Sequence, residues 1–306
     1  MKHIFILNPY AGKTMFAENL REKLARIEGL DYFVFITRYA GYEKELVKKI
    51  CHYFGDEKLR FYCCGGSGTM RNMLNGFDDL SKAEVAFYPC GLTNDFIKCF
   101  GGKEKRFFRI EELINGDVIS VDYIKTNDGV ALNTLTTGMD SDYAVKMEKY
   151  RMASVLGKQI PYVFALLQVL LVSKPQEYEI YIDGEKREGR FTELLLGNGC
   201  VLGGNIRFVE QADVTDGKVT YMIVPHKRGL NLLRLVAGLA RRDYEGVQKY
   251  AECGLCESIS IRRRDNCSIV MNFDGELVQD VCDWNAMVVH EGLKFVVPKG
   301  ETGHAE

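Results

Sequence analysis

The chain has 306 residues, 46% of them apolar and 27% charged, with a net charge of −2. That length favours about two domains, and the apolar share supports packed cores and excludes global disorder. The near-neutral balance argues against nucleic acid held by general phosphate attraction, and no run reaches the roughly 18 apolar residues that span a bilayer.

In chain order, residues 4–7 form a short apolar run that follows Met1-Lys2-His3, which reads as a strand and not as a signal peptide. Residues 16–27 have helical periodicity, with Leu20 and Leu24 four apart. Residues 32–36 read as strand, 43–53 as helix, 59–63 as strand, 69–74 as helix, 85–88 as strand and 94–99 as helix. Short apolar strands alternating with amphipathic helices imply a parallel sheet covered on both faces. After about Val121 the pattern changes. Residues 130–134, 177–183, 191–197, 218–224, 258–262 and 268–273 look like strands, punctuated by Asp183-Gly184, Asp216-Gly217 and Asp274-Gly275. Helical stretches at 154–172 and 230–241 interrupt them. This predicts a mainly antiparallel β domain, with a last strand at 294–297 returning to the first domain. The domains expected are therefore residues 1–122, completed by 290–306, and residues 123–289.

The ten cysteines are scattered, with Cys63 and Cys64 adjacent, as expected of reduced cytosolic thiols. Cys253 and Cys256 have CxxC spacing, but no second CxxC or histidine pair accompanies them, so they read as buried thiols. The stripe at 150–172 reads first as core and otherwise as an acyl-chain or membrane surface; its run at 161–172 is too short to cross. Arg241-Arg242 and Arg262-Arg263-Arg264 read as solvated faces before they read as lipid-headgroup contacts.

Two glycine turns carry the chemistry. Cys64-Gly65-Gly66-Ser67-Gly68-Thr69 lies between a strand and a helix, and Pro89-Cys90-Gly91-Leu92-Thr93-Asn94-Asp95 repeats the design some twenty residues on. A small-residue turn at a helix N-terminus points several backbone N–H groups at one place, which suits a phosphate. Ligands of such sheets bind beyond the carboxyl ends of the strands, where both turns lie. Asn94 could equally be a local helix cap. Asn8-Pro9-Tyr10-Ala11-Gly12-Lys13-Thr14 ends in Gly-Lys-Thr, but Leu7 stands where a P-loop needs glycine, so this is no Walker motif.

Taken together these segments resemble the diacylglycerol kinase catalytic family, which includes bacterial soluble lipid kinases and sphingosine kinases and is distantly related to NAD kinases. The resemblance rests on NPYAG at 8–12, Thr37 and Gly41, GGSGT at 65–69, Asn75-Gly76, PCGLTNDF at 89–96 and Val121-Asp122. It continues through Gly138 to Asp140, Asn198-Gly199, Gly203-Gly204, Asp216-Gly217 and Asp274-Gly275-Glu276. It implies a Rossmann-like, NAD-kinase-like α/β domain with a parallel sheet, followed by a mainly antiparallel β-sandwich, with nucleotide in the cleft between them. It implies ATP held by Asn8, Pro9, Gly12, Thr37, Gly65, Gly66, Ser67, Gly68, Thr69, Met70, Arg71, Thr93 and Asn94. Glu276 would be the general base toward a lipid hydroxyl, with Asp274, Asp95, Asp122 and Ser67 also in the catalytic set. A structural Mg²⁺ would take the Asp216 carboxylate and the backbone carbonyls of Asp213 and Lys218. Asp95 and Asp122 match acidic family positions that organise Mg²⁺.

Three departures stand out. The family turn usually reads GGDGT, and Ser67 here removes one negative charge. Leu92 occupies the hydroxyl position of the second turn, and Asn205 replaces a common third glycine after Gly204. Three readings stay open: an ATP- and Mg²⁺-dependent lipid kinase, a catalytically weakened nucleotide or lipid binder, and a kinase of a soluble acceptor such as NAD. The first implies a cytoplasmic protein peripheral to the inner membrane face, with transient membrane contact and no nucleic acid. A homodimer stays open.

Overall fold

The computed structural model describes residues 1–11, 16–91, 94–138, 176–204, 206–226 and 230–299. They divide into two compact units. The first comprises Met1–Tyr123, Val214–Asp216 and Val289–Glu306; the second comprises Ile124–Asp213 and Gly217–Val288.

In the first unit, β1 (Lys2–Leu7), β2 (Tyr32–Ile36), β3 (Leu59–Gly65) and β4 (Glu84–Pro89) are all parallel, in the order β4-β3-β1-β2. The end of β17 (Asp283–Val297) runs parallel to β4, with Lys294 beside Glu84 and Val296 beside Ala86. That is the returning strand expected from residues 294–297. β3 and β4 are buried at every position and Ile4 through Leu7 are wholly buried, as in a parallel sheet covered on both faces, while β2 at the edge leaves Phe33 and Ile36 exposed. The helices are α1 (Phe16–Ala25), α2 (Tyr42–Phe54), α3 (Ser67–Leu74) and α4 (Ile110–Ile114). Residues 96–99, read as part of a helix, form a short 3₁₀ turn. β5 (Asp117–Thr126) leaves this unit for the second.

The second unit is mainly antiparallel. Its strands are β6 (Gly129–Ala131), β7 (Thr134–Gly138), β8 (Gln176–Ile182), β9 (Glu185–Gly197), β10 (Val201–Leu202) and β11 (Ile206–Arg207). They continue with β12 (Val219–Pro225), β13 (Glu252–Cys256), β14 (Ser258–Arg263), β15 (Ile269–Phe273) and β16 (Glu276–Val281). The order is β16-β15-β7-β9-β8-β14, then the start of β17, while β12 bridges β9 and β13. Leu135, Ile180, Leu196, Ile261, Phe273 and Trp284 share one core. On the other face of β9 and β12, α5 (Leu230–Arg241) packs Leu232, Leu235 and Leu239 against Leu195, Met222 and Val224. A short α6 (Tyr244–Gln248) follows, capped by the Asp243 carboxylate on the Gly246 N–H. The strand expected over 130–134 is two strands, because residues 132–133 leave the ladder to meet a buried carboxylate described below.

The helix read at 154–172 and its apolar stripe lie outside the described residues. Among the described residues no helix is long and apolar enough to cross a membrane. All ten cysteines are free. Burial pushes the Cys253 and Cys256 thiols up to about 11 and about 12, which keeps them protonated at neutral pH, as buried thiols are. Arg262 pairs with Glu179 at 2.7 Å on an exposed face, whereas the Arg263 side chain is only 17% exposed and pairs with Asp265 at 3.0 Å.

One buried histidine makes the first unit acid-sensitive. His3 Nδ1 lies 2.7 Å from the Tyr62 hydroxyl, and burial, with the Arg60 charge behind it, lowers its pKa from 6.5 to about 4. The neutral ring therefore adds stability that is complete above pH 6.5 and is lost as pH falls toward 4. The loss expected from this group is about 3 kcal/mol, seen in urea melts across that range. His3→Gln should flatten the slope there; an unchanged slope would show that His3 is not its source.

Candidate nucleotide-binding site

The site in the first unit is built where β1, β3 and β4 end. Parallel register sets Leu7 beside Cys64 and Gly65 beside Pro89, so three loops leave the sheet at one level. Asn8 ties the first loop to the second: its Nδ2 donates to Thr69 Oγ1 at 2.9 Å, and its Oδ1 accepts the Tyr10 N–H at 3.0 Å. Its backbone N–H donates to the Cys64 carbonyl. Thr37, at the end of β2, is buried, and its N–H donates to the Leu7 carbonyl at 2.9 Å.

The second and third loops touch through bare backbone. The Gly65 carbonyl accepts the N–H groups of Cys90 and Gly91 at 2.8 and 3.2 Å. A Cβ on Gly91 would lie 2.6 Å from the Gly66 Cα, and one on Gly65 would lie 2.5 Å from the Thr69 side chain. These glycines are needed for close approach, since neither has a left-handed φ. Asn94 Nδ2 donates to the Gly91 carbonyl at 2.9 Å, so the side chain closes its own turn backward and does not cap the following 3₁₀ helix.

Gly66 is the extended N-cap of α3, and the first turn of that helix contains no acidic residue. Gly66, Ser67 and Gly68 are half-buried, while Thr69 and Met70 are buried beneath them. The Ser67, Gly68 and Thr69 amides precede the first intrahelical bond, from Met70 N–H to the Gly66 carbonyl. Donors, dipole and a neutral Ser67 together favour an anion here. Arg71 lies one turn further along the helix.

The acidic residues are placed differently. Asp95 is buried and pairs with Lys98 at 2.8 Å. Asp122, on β5, is wholly buried; its Oδ1 accepts the Glu291 N–H at 2.6 Å and meets His290 Nδ1 at 3.0 Å. Its own N–H donates to the Val214 carbonyl at 2.7 Å, which brings the segment carrying Asp216 into the first unit. His290, which sequence reasoning missed, lies 168 residues from its carboxylate partner, and no local pattern marks it.

Asp213, Asp216 and Lys218 share the turn before β12. Among the described residues no group of three or more His, Cys, Asp or Glu side chains is assembled to hold a metal. In the second unit, Glu276 is exposed as the first residue of β16, while Asp274 is buried. Gly12, Leu92, Thr93 and Asn205 lie outside the described residues, as do residues 139–140 of the GMD segment.

The first unit is a parallel α/β sheet with glycine turns at its strand ends, and the second is mainly antiparallel β. The model of the diacylglycerol kinase catalytic domain matches residues 2–126, and that of the YegS C-terminal NAD kinase beta sandwich-like domain matches residues 133–294. The chain belongs to the diacylglycerol kinase catalytic-domain family, with a YegS-type C-terminal domain. A Staphylococcus carnosus protein named "Putative lipid kinase" is 30% identical over 166 residues, a match spanning 53% of each chain, so only about half of that relative is covered. A Staphylococcus saprophyticus protein named diacylglycerol kinase is 24% identical over 274 residues, 89% of this chain and 87% of that one. The fold is that of a solved Bacillus anthracis structure described as "a putative diacylglycerol kinase", with a TM-score of 0.74 at 20% identity, covering 97% of this chain and 95% of that chain.

Proposed function

We propose that the protein is a lipid kinase that transfers the γ-phosphate of ATP to a lipid hydroxyl at a membrane surface. One observation carries the reading: Gly65, Gly66 and Gly91 are packed backbone to backbone at the N-terminus of α3, within the segment that matches the catalytic-domain family. The Ser67, Gly68 and Thr69 amides would receive the phosphates, with Asn8 and Thr69 holding the loops around them. The lipid oxygen attacks the γ-phosphorus, the bond to the β–γ bridging oxygen breaks, ADP leaves, and the hydroxyl proton passes to the Glu276 carboxylate. Phosphoryl transfer asks the protein mainly for positioning and charge neutralisation.

Mg²⁺ fits the donor chemistry, since it is bound by one or two carboxylates together with water and phosphate oxygens and needs no cage of acids. Asp216, with the carbonyls of Asp213 and Lys218, would hold a structural ion, and on the nucleotide unit the Asp95 carboxylate and the Ser67 hydroxyl would be oxygen donors, whereas Asp122 is wholly buried with its Oδ1 on His290 and the Glu291 N–H. When bound, the ion neutralises phosphate charge. The working location proposed is the cytoplasmic face of the membrane, where contact lasts only while lipid is bound.

The test is transfer of labelled γ-phosphate to a panel of lipids in mixed micelles. Glu276→Ala is expected to lower kcat about 10²–10⁴-fold, the usual value of a positioned base. Phosphorylation of NAD but of no lipid would replace the lipid acceptor by a soluble one.

A second reading has its own support. Ser67 removes a charge from the phosphate turn, and the Asp95 carboxylate is paired with Lys98, which weakens its pull on a cation. Under this reading the protein binds nucleotide but turns over slowly. Calorimetric ATP binding without lipid phosphorylation, and a gain of activity in Ser67→Asp, would favour it.

A further inference from the structure

Residues 132–133 connect β6 to β7, and with Thr134, the first residue of β7, they are at least nine-tenths buried. A buried stretch of three residues must find partners for three N–H and three C=O groups, each costing about 1–3 kcal/mol if left unmet. Two distant segments meet all six. Asp274 Oδ2 accepts the Leu132 N–H at 2.8 Å, and its Oδ1 accepts those of Asn133 and Thr134 at 3.0 and 2.7 Å. The Asp274 N–H donates to the Thr134 carbonyl at 3.0 Å. From the other side, Asn198 Nδ2 donates to the Leu132 carbonyl at 2.9 Å. The Asn133 carbonyl accepts the N–H groups of Asn198 and Gly199 at 2.9 and 3.1 Å. The Asn133 side chain extends the contact to the Val201 carbonyl.

This clasp ends at the proposed base. Asp274 and Gly275 are the two residues of the β15–β16 turn, with φ of 51° and 93°, the left-handed pair of a type I′ hairpin. Asn272 Oδ1 accepts the Gly275 N–H at 2.9 Å. Glu276 follows directly, opposite the wholly buried Phe273. The turn is thus fixed by its own strand and by the 132–134 loop, while the residue after it reaches solvent.

We propose that Asp274 is a positioning residue for Glu276, and that Asn198 works with it through the 132–134 loop. Three backbone amides hold the two Asp274 oxygens, so the carboxylate acts by fixing the geometry of the turn. This rests on the reading of Glu276 as base, because a base displaced by about 1 Å loses about 10²-fold in rate. It also gives one role to the Asn198-Gly199 and Asp274-Gly275 segments, 76 residues apart in sequence.

Asp274→Asn keeps the shape but turns an NH₂ toward at least one amide donor. It should lower kcat about 10²-fold and leave the KM for ATP unchanged, the nucleotide turns being in the other unit. Asn198→Ala should give a smaller loss of the same kind. The decisive measurement is Asp274→Asn in the Glu276→Ala background at a temperature where all variants are folded. A residue acting only through Glu276 adds no further loss there, whereas a general structural defect multiplies the two losses. A multiplied loss, or wild-type kcat in Asp274→Asn, overturns the proposal. Hydrogen exchange without substrate separates this from the kinase reading: both variants should speed exchange at 132–134 and 274–276. Unchanged exchange at 274–276 in Asn198→Ala overturns the clasp whatever the activity. Faster exchange with a wild type that phosphorylates nothing supports the clasp and removes the kinase reading.

Discussion

Gly91→Ala is expected to weaken ATP binding at least about 100-fold, a loss of nearly 3 kcal/mol of binding free energy. The new methyl would meet the Gly66 Cα at 2.6 Å and Asn94 Oδ1 at 3.2 Å. The first contact is backbone against backbone, so no side chain can swing aside to relieve it. The third loop must move off the second, breaking the bonds from the Cys90 and Gly91 N–H groups to the Gly65 carbonyl and tilting the donors at the start of α3. Gly66→Ala is the internal control: its Cβ would stand 3.3 Å from the Gly91 Cα, a contact that a few tenths of an ångström relieve. Calorimetric titration with ATP should rank wild type, Gly66→Ala and Gly91→Ala in falling affinity. Overpacking should also cost Gly91→Ala about 1–3 kcal/mol of stability, so affinity must be compared below the melting transition. Wild-type ATP affinity in a folded Gly91→Ala would place the phosphates elsewhere.

The glycines themselves were legible in the sequence; their contact was not. Glycine between a strand and a helix marks a tight turn wherever it occurs, but the meeting of Gly66 and Gly91 depends on β3 and β4 being neighbours in register. β1 to β4 were readable because buried parallel strands are unbroken apolar runs. The strands that escaped notice lack that signal. β17 is legible only at 294–297; before that it carries Asp283, His290 and Glu291 on a half-buried strand whose two ends serve different units. β13 looked only like a cysteine spacing, and β16 like the tail of a turn. The Asp-Gly-Glu hairpin was read correctly as a turn, yet nothing local revealed that its aspartate looks inward. That orientation follows from three amides 140 to 142 residues away. Asp122 with His290 and the 132–134 loop with Asn198 are likewise tertiary facts, fixed by which strands are adjacent.

Arg60→Met is expected to destabilise the first unit by about 3–5 kcal/mol, the usual result of removing one partner from a buried ion pair. Arg60 and Glu84 are register partners on β3 and β4, with side chains 7% and 10% exposed. Arg60 Nε donates to Glu84 Oε2 at 2.8 Å. The guanidinium also donates to the carbonyls of Leu113, Ile114 and Gly116 at 3.3, 3.0 and 3.5 Å, closing the C-terminal end of α4. Burial alone would raise the Glu84 carboxyl, but the hydrogen bonds and charge of Arg60, aided by Lys58, hold it below its ordinary value. In the wild type this group therefore adds stability above the ordinary carboxylate pKa that is lost as pH falls through its folded value. In Arg60→Met the sign reverses: the Glu84 carboxylate stays buried with the exposed Lys58 as its ion-pair partner, and protonation relieves it. The deficit should be largest near pH 7 and shrink toward pH 4. Arg60→Met with Glu84→Leu should recover most of the loss, leaving about 1–2 kcal/mol for the α4 carbonyls. Urea melts of the two single variants and the double at pH 7 and 5 decide it. A double variant as unstable as Arg60→Met at both pH values would mean that the α4 carbonyls, and not the charge on Glu84, are what Arg60 serves.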